Sequence, residues 1–378
     1  MTVRTARWAL AAAVVLGACG DGDDGQGPDD EGAPPVVGCT DGSTEGSLTR
    51  VCFPADWNGD LILYAHGYVR PDAPLAVPEN VAGATPVEDL INALGYAYAT
   101  SSYRANGLVA DLAVDDMVAL EEMVRRTVRP DPSRVYLVGV SEGALVATLA
   151  VERERERYTG ALAACGPIGD FARQIDYLND VRVVFDYYFP GVVPGSVIDP
   201  PDEVREGWDG TYAPAVIAAV EADPERGLEL AAVTGIPAEG LDAANLGATV
   251  ADILWYNVLG TLDAQERLGG QAYDNGERVY QGSSDDAALN AGVARFTADP
   301  AARAELERFE TGGDPSVPIS ILHTTGDPIV PFFHQPLYAG KVEARGAGGL
   351  LERTDVERFG HCAFTSAELL GAFGALPQ

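Results

Sequence analysis

The chain has 378 residues, 47% of them hydrophobic, with 57 acidic side chains against 25 basic ones and a formal net charge of −32 at pH 7. That length is ample for a full buried core, while so acidic a surface repels nucleic acid and anionic membranes and excludes both as partners. The four histidines and five cysteines show no zinc-ligand spacing, so neither a metal nor an organic cofactor is expected.

Taken from the N-terminus, Arg4 and Arg7 precede an apolar run from Trp8 to Leu16, and Gly17-Ala18-Cys19 follows. A charged head, an apolar stretch too short to span a bilayer and small residues before the break predict a cleaved secretory signal over 1–18. The cysteine at the cleavage point resembles the lipobox of bacterial lipoproteins. That resemblance implies lipidation of Cys19 and an exported protein anchored in the cell envelope, with the lipid as its one membrane contact. Residues 19–38 are rich in Gly, Asp and Pro and read as a flexible tether. Cys39, Cys52, Cys165 and Cys362 then remain, an even number suited to an oxidising compartment and open to three connectivities. One of these pairs Cys39 with Cys52, closing a small loop before the first strands, and Cys165 with Cys362.

Short β-rich runs at 48–53, 60–65 and 96–101 read as early strands. Residues 111–128 carry Leu112, Met117, Leu120 and Val124 at helical spacing. Further strands are expected at 134–140, 160–165, 318–324 and 353–359, and a last helix at 363–375. Strands alternating with helices predict an α/β fold with a mostly parallel sheet covered on both faces. Core segments are therefore expected at 39–168 and 317–378. The intervening 169–316 is far longer than a connection requires and reads as a largely helical insertion, with helices at 213–222, 241–259, 285–296 and 301–309. Phe185, Tyr187, Tyr188, Phe189, Trp208, Trp255 and Tyr256 fall in it and are expected mainly in its core.

Four short pieces carry chemistry. Gly139-Val140-Ser141-Glu142-Gly143 lies between the apolar run Arg134-Val135-Tyr136-Leu137-Val138 and the helix-like Gly143-Ala144-Leu145-Val146. A G-x-S-x-G turn in that setting projects a serine above the sheet edge. His66-Gly67-Tyr68 follows the strand at 60–65, where the N–H of Tyr68 can form an oxyanion hole with that of Glu142, supported by His66 and Gly67. Asp327 follows the strand at 318–324 on a loop stiffened by Pro328 and Pro331, placed to orient an imidazole. His361 follows the strand at 353–359; of the two histidines beyond Asp327, His334 lies too near on a helix starting at Phe332. Tyr103 and Arg104 sit at the same sheet edge, and the Glu142 carboxylate is expected to pair locally.

Together, His66-Gly67, Gly139-Val140-Ser141-Glu142-Gly143, Gly326-Asp327 and Gly360-His361 resemble the α/β-hydrolase superfamily over nearly all of the chain beyond residue 48 except its middle. The resemblance implies a central sheet with a cap inserted before the strand carrying the acid, and a triad of Ser141, Asp327 and His361. It also implies a serine esterase acting on a small or polymeric carboxylic ester through an acyl-enzyme. A serine peptidase or aminopeptidase of the prolyl-peptidase type is the alternative on the same fold, with Asp202, Glu203, Glu206 and Asp209 as candidates to bind a peptide amine.

Overall fold

The computed structural model describes residues 36–377 apart from 80, 83, 84 and 129. The signal segment, Cys19 and nearly all of the tether lie outside the described residues. Eight strands, β1 (Gly38–Thr44), β2 (Ser47–Phe53), β3 (Leu61–Ala65), β4 (Ala97–Ser101), β5 (Val135–Val140), β6 (Gly160–Ala164), β7 (Ile319–Gly326) and β8 (Leu351–Phe359), form one sheet in the order β1-β2-β4-β3-β5-β6-β7-β8. β2 is antiparallel to both of its neighbours, and every pairing from β4 to β8 is parallel. Helices α1 (Val87–Ala93), α2 (Ala110–Thr127) and α3 (Glu142–Arg153) connect the early strands. Between β6 and β7 come α4 (Phe171–Tyr188), α5 (Asp202–Glu206), α6 (Ala213–Ala222), α7 (Pro224–Thr234), α8 (Leu246–Leu268), α9 (Asp286–Gly292) and α10 (Pro300–Glu305). Helices α11 (His334–Ala344) and α12 (Ser366–Gly374) flank β8.

The layering follows from the pleat, which sends successive side chains to opposite faces. Leu61, Leu63 and Ala65 of β3 pack with Met117 and Leu120 of α2 and Leu145 and Leu149 of α3. Ile62 and Tyr64 of the same strand join Val87 and Ile91 of α1 and Phe373 of α12 on the other face. Because both faces are covered, β3 and β6 are buried along their whole length, which is why they read as unbroken apolar runs rather than alternating ones. The strand order, the single antiparallel strand and the strand–turn–helix at Ser141 make this an α/β-hydrolase fold.

The helices between β6 and β7 have a second apolar cluster of their own, built around Phe185, Phe189, Trp208, Leu230, Val250 and Leu254. Several boundaries differ from the sequence expectation. Helix α8 begins at Leu246, not 241, because the Asp242 carboxylate accepts the N–H groups of Ala244 and Asn245 and holds a turn. It runs on to Leu268, where Gly269 in the left-handed region ends it. Helix α9 stops at Gly292, since Val293 is already extended. Helix α4 and strand β1 were not expected at all. Cys39 and Cys52 do form a disulfide, but as directly opposed residues of the β1–β2 hairpin, not across a loop ahead of the strands.

Candidate active site

Strand β5 delivers Ser141 into a backbone conformation (φ 58°, ψ −125°) that non-glycine residues rarely adopt. The flanking glycines make the turn possible. A Cβ on Gly139 would lie 1.9 Å from the Gly143 oxygen, and one on Gly143 would lie 2.0 Å from the Ala65 oxygen. Strand and helix therefore close on each other at van der Waals contact, and the serine side chain is left pointing away from both. Ser141 N–H is anchored to the Ala164 carbonyl at 2.9 Å.

The structure brings Ser141, His361 and Asp327 into one hydrogen-bonded line. The Ser141 hydroxyl lies 2.9 Å from His361 Nε2, and His361 Nδ1 lies 2.7 Å from Asp327 Oδ2. Asp327 lies just past the end of β7 and is fully buried. Its Oδ1 accepts the N–H groups of Ile329 and Val330, each at 2.9 Å. An ionised carboxylate therefore faces Nδ1, so that nitrogen carries the proton and Nε2 is left to accept from Ser141. Burial alone would raise the Asp327 pKa, but the imidazole of His361 and hydrogen bonds from His323 and His361 outweigh it and hold the group at about 2.

Around the acid, the loop is bolted from three sides. Tyr177 donates to the Pro328 carbonyl at 2.5 Å and Gln174 to the Ile329 carbonyl at 2.9 Å, both from α4. His323 Nε2 meets the Val330 carbonyl at 2.8 Å from within β7. His334, at the start of α11, is occupied elsewhere: its Nδ1 accepts the Gly169 N–H at 3.0 Å and its Nε2 faces Gln174 Oε1 at 3.0 Å. None of these supports was foreseen. An Asp at 170 followed by Phe171 is an N-cap signal that could have located α4, but the contacts of Gln174 and Tyr177 are non-local and leave no trace in the sequence.

His66, Gly67 and Tyr68 sit against the elbow. A Cβ on Gly67 would lie 3.1 Å from Ser141 Cβ, so glycine lets the loop come this close without displacing the serine. Neither the Tyr68 nor the Glu142 N–H has a partner among the described residues. His66 is buried, stacks on Tyr103 with ring centroids 4.0 Å apart and places Nδ1 2.7 Å from the Gly67 carbonyl. Burial pushes its pKa down to about 4, so it is a neutral brace. Tyr103 supports it further by donating to the His66 carbonyl at 3.0 Å, and Arg104 pairs with Asp116 away from the serine. Among the described residues the Glu142 carboxyl has no ion-pair partner; it is buried and accepts the Val109 N–H at 3.2 Å.

Above Ser141 is a pocket whose wall is mainly apolar. Tyr68, Leu108 and Glu142 contribute from the sheet side, α4 contributes Phe171, Ile175 and Leu178, and α8 contributes Tyr256 through Leu268. Of the aromatic residues between β6 and β7 that the sequence singled out, Tyr256 reaches this wall, while Phe185, Phe189 and Trp208 are core. Asp202, Glu203, Glu206 and Asp209 are not among the lining residues; Asp202 pairs with Arg205 and Asp209 with Arg70 at the surface.

Cys165 and Cys362 are bonded to each other, joining the end of β6 to the residue after His361. The two sulfurs and an His361 nitrogen lie within 4.8 Å of one another, but the sulfurs are spent on their mutual bond and His361 is engaged by Ser141 and Asp327. The bridge closes a loop across 197 residues of sequence separation, for which chain entropy gives about 5 kcal/mol of stabilisation. Replacing both cysteines by alanine is expected to lower the calorimetric melting midpoint by roughly 5–10 °C.

No protein-family model and no curated protein matches the chain. Among solved structures it is similar to an esterase from Aspergillus oryzae (12% identity, 87% of this chain and 73% of that one, TM-score 0.44). It is also similar to the Pyrococcus furiosus esterase PF2001 (12% identity, 88% and 90%, TM-score 0.42) and to Pyrococcus horikoshii acylaminoacyl peptidase (11% identity, 88% and 38%, TM-score 0.41). The chain spans 37–38% of the length of the acylaminoacyl peptidases it aligns with. Likenesses this distant bear on neither reaction nor substrate.

Proposed function

We propose that this protein is a serine hydrolase that cleaves carboxylic esters. The observation that carries the reading is the unbroken line from the Ser141 hydroxyl through His361 to the buried Asp327 carboxylate, at the floor of an apolar pocket. In this reading His361 Nε2 takes the Ser141 proton as Oγ attacks the ester carbonyl. The developing oxyanion is met by the free N–H groups of Tyr68 and Glu142, a type of donor worth about 2.7–4 kcal/mol each. The imidazolium, steadied by Asp327, protonates the departing alkoxide. Water then enters, loses its proton to His361 and releases the acyl group from Ser141.

An ester substrate is favoured over a peptide because the lining residues offer no pair of carboxylates to hold a peptide amine: Glu142 is the sole carboxyl among them. Initial rates on p-nitrophenyl esters of rising acyl length, set beside amino-acid and dipeptide p-nitroanilides, test this. Higher kcat/KM on the esters is the expected result; faster anilide turnover makes the protein a peptidase on the same triad. Two disulfides suit an oxidising compartment. Among the described residues no helix is long and apolar enough to cross a membrane. Export and anchoring through a lipid on Cys19 complete the proposal.

Glu142 adds a pH dependence. Burial raises its carboxyl to about 8; the Val109 amide and Arg267 act against this, Asp263 and Asp111 with it. The phenols of Tyr68, Tyr103 and Tyr256, which sense its charge, remain neutral over the same range because burial raises them too. Below its pKa Glu142 is neutral; above it, a negative charge stands beside the forming oxyanion. kcat/KM is therefore expected to fall as pH rises through about 8, and Glu142→Gln to remove that limb. The sign for stability agrees: a raised carboxyl pKa contributes fully below the ordinary value and is lost as pH climbs through the folded one.

A further inference from the structure

Most polar atoms of the pocket wall are already paired within the protein. Gln174 donates to Ile329, Asn257 to Asn179 and Val197, Gln265 to Ile198, and Tyr273 to Asp180. Three groups are different: Gln271 Oε1, which is buried without a partner among the described residues, and two groups next to the elbow. The Tyr68 hydroxyl is buried and has no hydrogen-bond partner. Its ring is fixed edge-on against Trp255 (5.9 Å between centroids) and tilted on Tyr256 (5.7 Å). Gly260 is bare where a Cβ would lie 3.0 Å from the phenol oxygen. The second is Glu142, which is 7% exposed and uses one oxygen on the Val109 N–H. Its other oxygen has no protein partner among the described residues.

Buried polar groups are ordinarily satisfied, and one left open inside a substrate pocket is satisfied by what binds there. The ligand's charge also follows from the wall. No Lys, Arg or His is among the lining residues, so an anionic substituent would enter without a counter-ion. Arg267, the guanidinium whose charge Glu142 senses, is held by Asp263 and by the Asn106 carbonyl. A cationic substituent would have to shed its water in an apolar cavity and ionise a carboxyl that burial keeps neutral. An uncharged hydroxyl both donates and accepts, matches a phenol and a carboxyl, and carries neither cost. Glu142 also adjoins the serine that would bear the acyl group, so the matching hydroxyl belongs on the acyl side.

We infer that the Tyr68 hydroxyl and the Glu142 side chain form a hydrogen-bonding subsite that selects esters whose acyl group carries an uncharged hydroxyl. This rests on the esterase reading above and narrows it to a substrate class. Removing the hydroxyl from the substrate leaves both protein groups buried and unpaired, which is the situation in which an active site discriminates most strongly.

The test compares p-nitrophenyl 3-phenylpropanoate with its 2-, 3- and 4-hydroxyphenyl analogues on the wild-type protein, Tyr68→Phe, Glu142→Leu and Glu142→Gln. In the wild type at least one hydroxylated isomer should exceed the parent at least tenfold in kcat/KM. Tyr68→Phe and Glu142→Leu should bring that ratio to within about twofold of one, and Glu142→Gln, which keeps an oxygen for the Val109 N–H and turns an NH₂ donor to the subsite in place of the carboxyl O–H, should preserve it. Wild-type ratios near one for every isomer overturn the subsite. So does a Tyr68→Phe variant that slows parent and analogue alike, because the phenol would then serve the reacting carbonyl. The matched fluorophosphonates, with labelling of Ser141 followed by mass spectrometry, separate the two levels. Labelling without preference for the hydroxylated probe removes the subsite alone, and absence of labelling at Ser141 removes the hydrolase reading along with it.

Discussion

Ser141→Ala should lower kcat on p-nitrophenyl esters by on the order of 10⁶ while leaving KM within a few-fold of the wild type. The large loss follows from what Oγ does in the proposed cycle: it forms the covalent bond, and no neighbouring group can replace it. His66 is buried and stacked on Tyr103, and His323 is buried and turned to Val330, so neither is placed to activate a substitute. The small effect on KM follows because the pocket wall and the Tyr68 and Glu142 amides are untouched. Residual activity from those amides and from binding should still exceed the uncatalysed rate by about 10³–10⁴. Folding should survive, because among the described residues the Ser141 side chain makes a single hydrogen bond, to His361, and alanine also supplies a Cβ to the same turn. A fluorophosphonate should label the wild type and fail on the variant. A variant keeping even a hundredth of the activity would place the nucleophile elsewhere.

How much of this could be read from the sequence depended on the reach of the interactions. Strands β3, β5 and β6 were legible because burial on both faces makes each a short, largely apolar run, and β7 from its apolar start; the four chemical pieces were legible because each follows a strand, His361 following the mostly exposed β8. Strand β1 was not: Gly-Cys-Thr-Asp-Gly-Ser-Thr is polar and exposed almost throughout, and only its pairing with β2 makes it a strand.

Helix α4 was hidden for the opposite reason. It buries Gln174, Asp176, Asn179, Asp180 and Arg182 beside its apolar residues, so the usual polar stripe that reveals a helix is missing. Those groups are affordable inside because distant partners meet them. Arg278 and Arg303 pair with Asp176, Tyr273 and Tyr280 donate to Asp180, and Arg182 reaches Asp186 and the Val193 carbonyl. All but Asp186 and Val193 lie about a hundred residues away in sequence. The same separation explains why Ser141, Asp327 and His361 could be nominated but the side chains that hold the Asp327 loop could not.

Asp327→Asn should cost on the order of 10⁴ in kcat with KM little changed, and the reason is directional. Two backbone N–H groups, from Ile329 and Val330, point at the Oδ1 position. An asparagine must therefore put its carbonyl oxygen there and turn its NH₂ toward His361 Nδ1. A donor facing Nδ1 forces that nitrogen to accept, which moves the imidazole proton to Nε2. Nε2–H then faces Ser141 and cannot take its proton, although every heavy atom stays near its place. The variant should bind substrate, melt as a folded protein and resist fluorophosphonate labelling. Its acid stability should change as well. Wild-type Asp327 has a pKa depressed to about 2, so its contribution is present above the ordinary carboxylate value and lost as pH falls through 2; the variant lacks that proton-linked step. If Asp327→Asn instead kept near-wild-type kcat, His361 would be oriented by something other than this carboxylate. The 2.7 Å contact between His361 and Asp327 would then be structural, and the triad would reduce to Ser141 and His361.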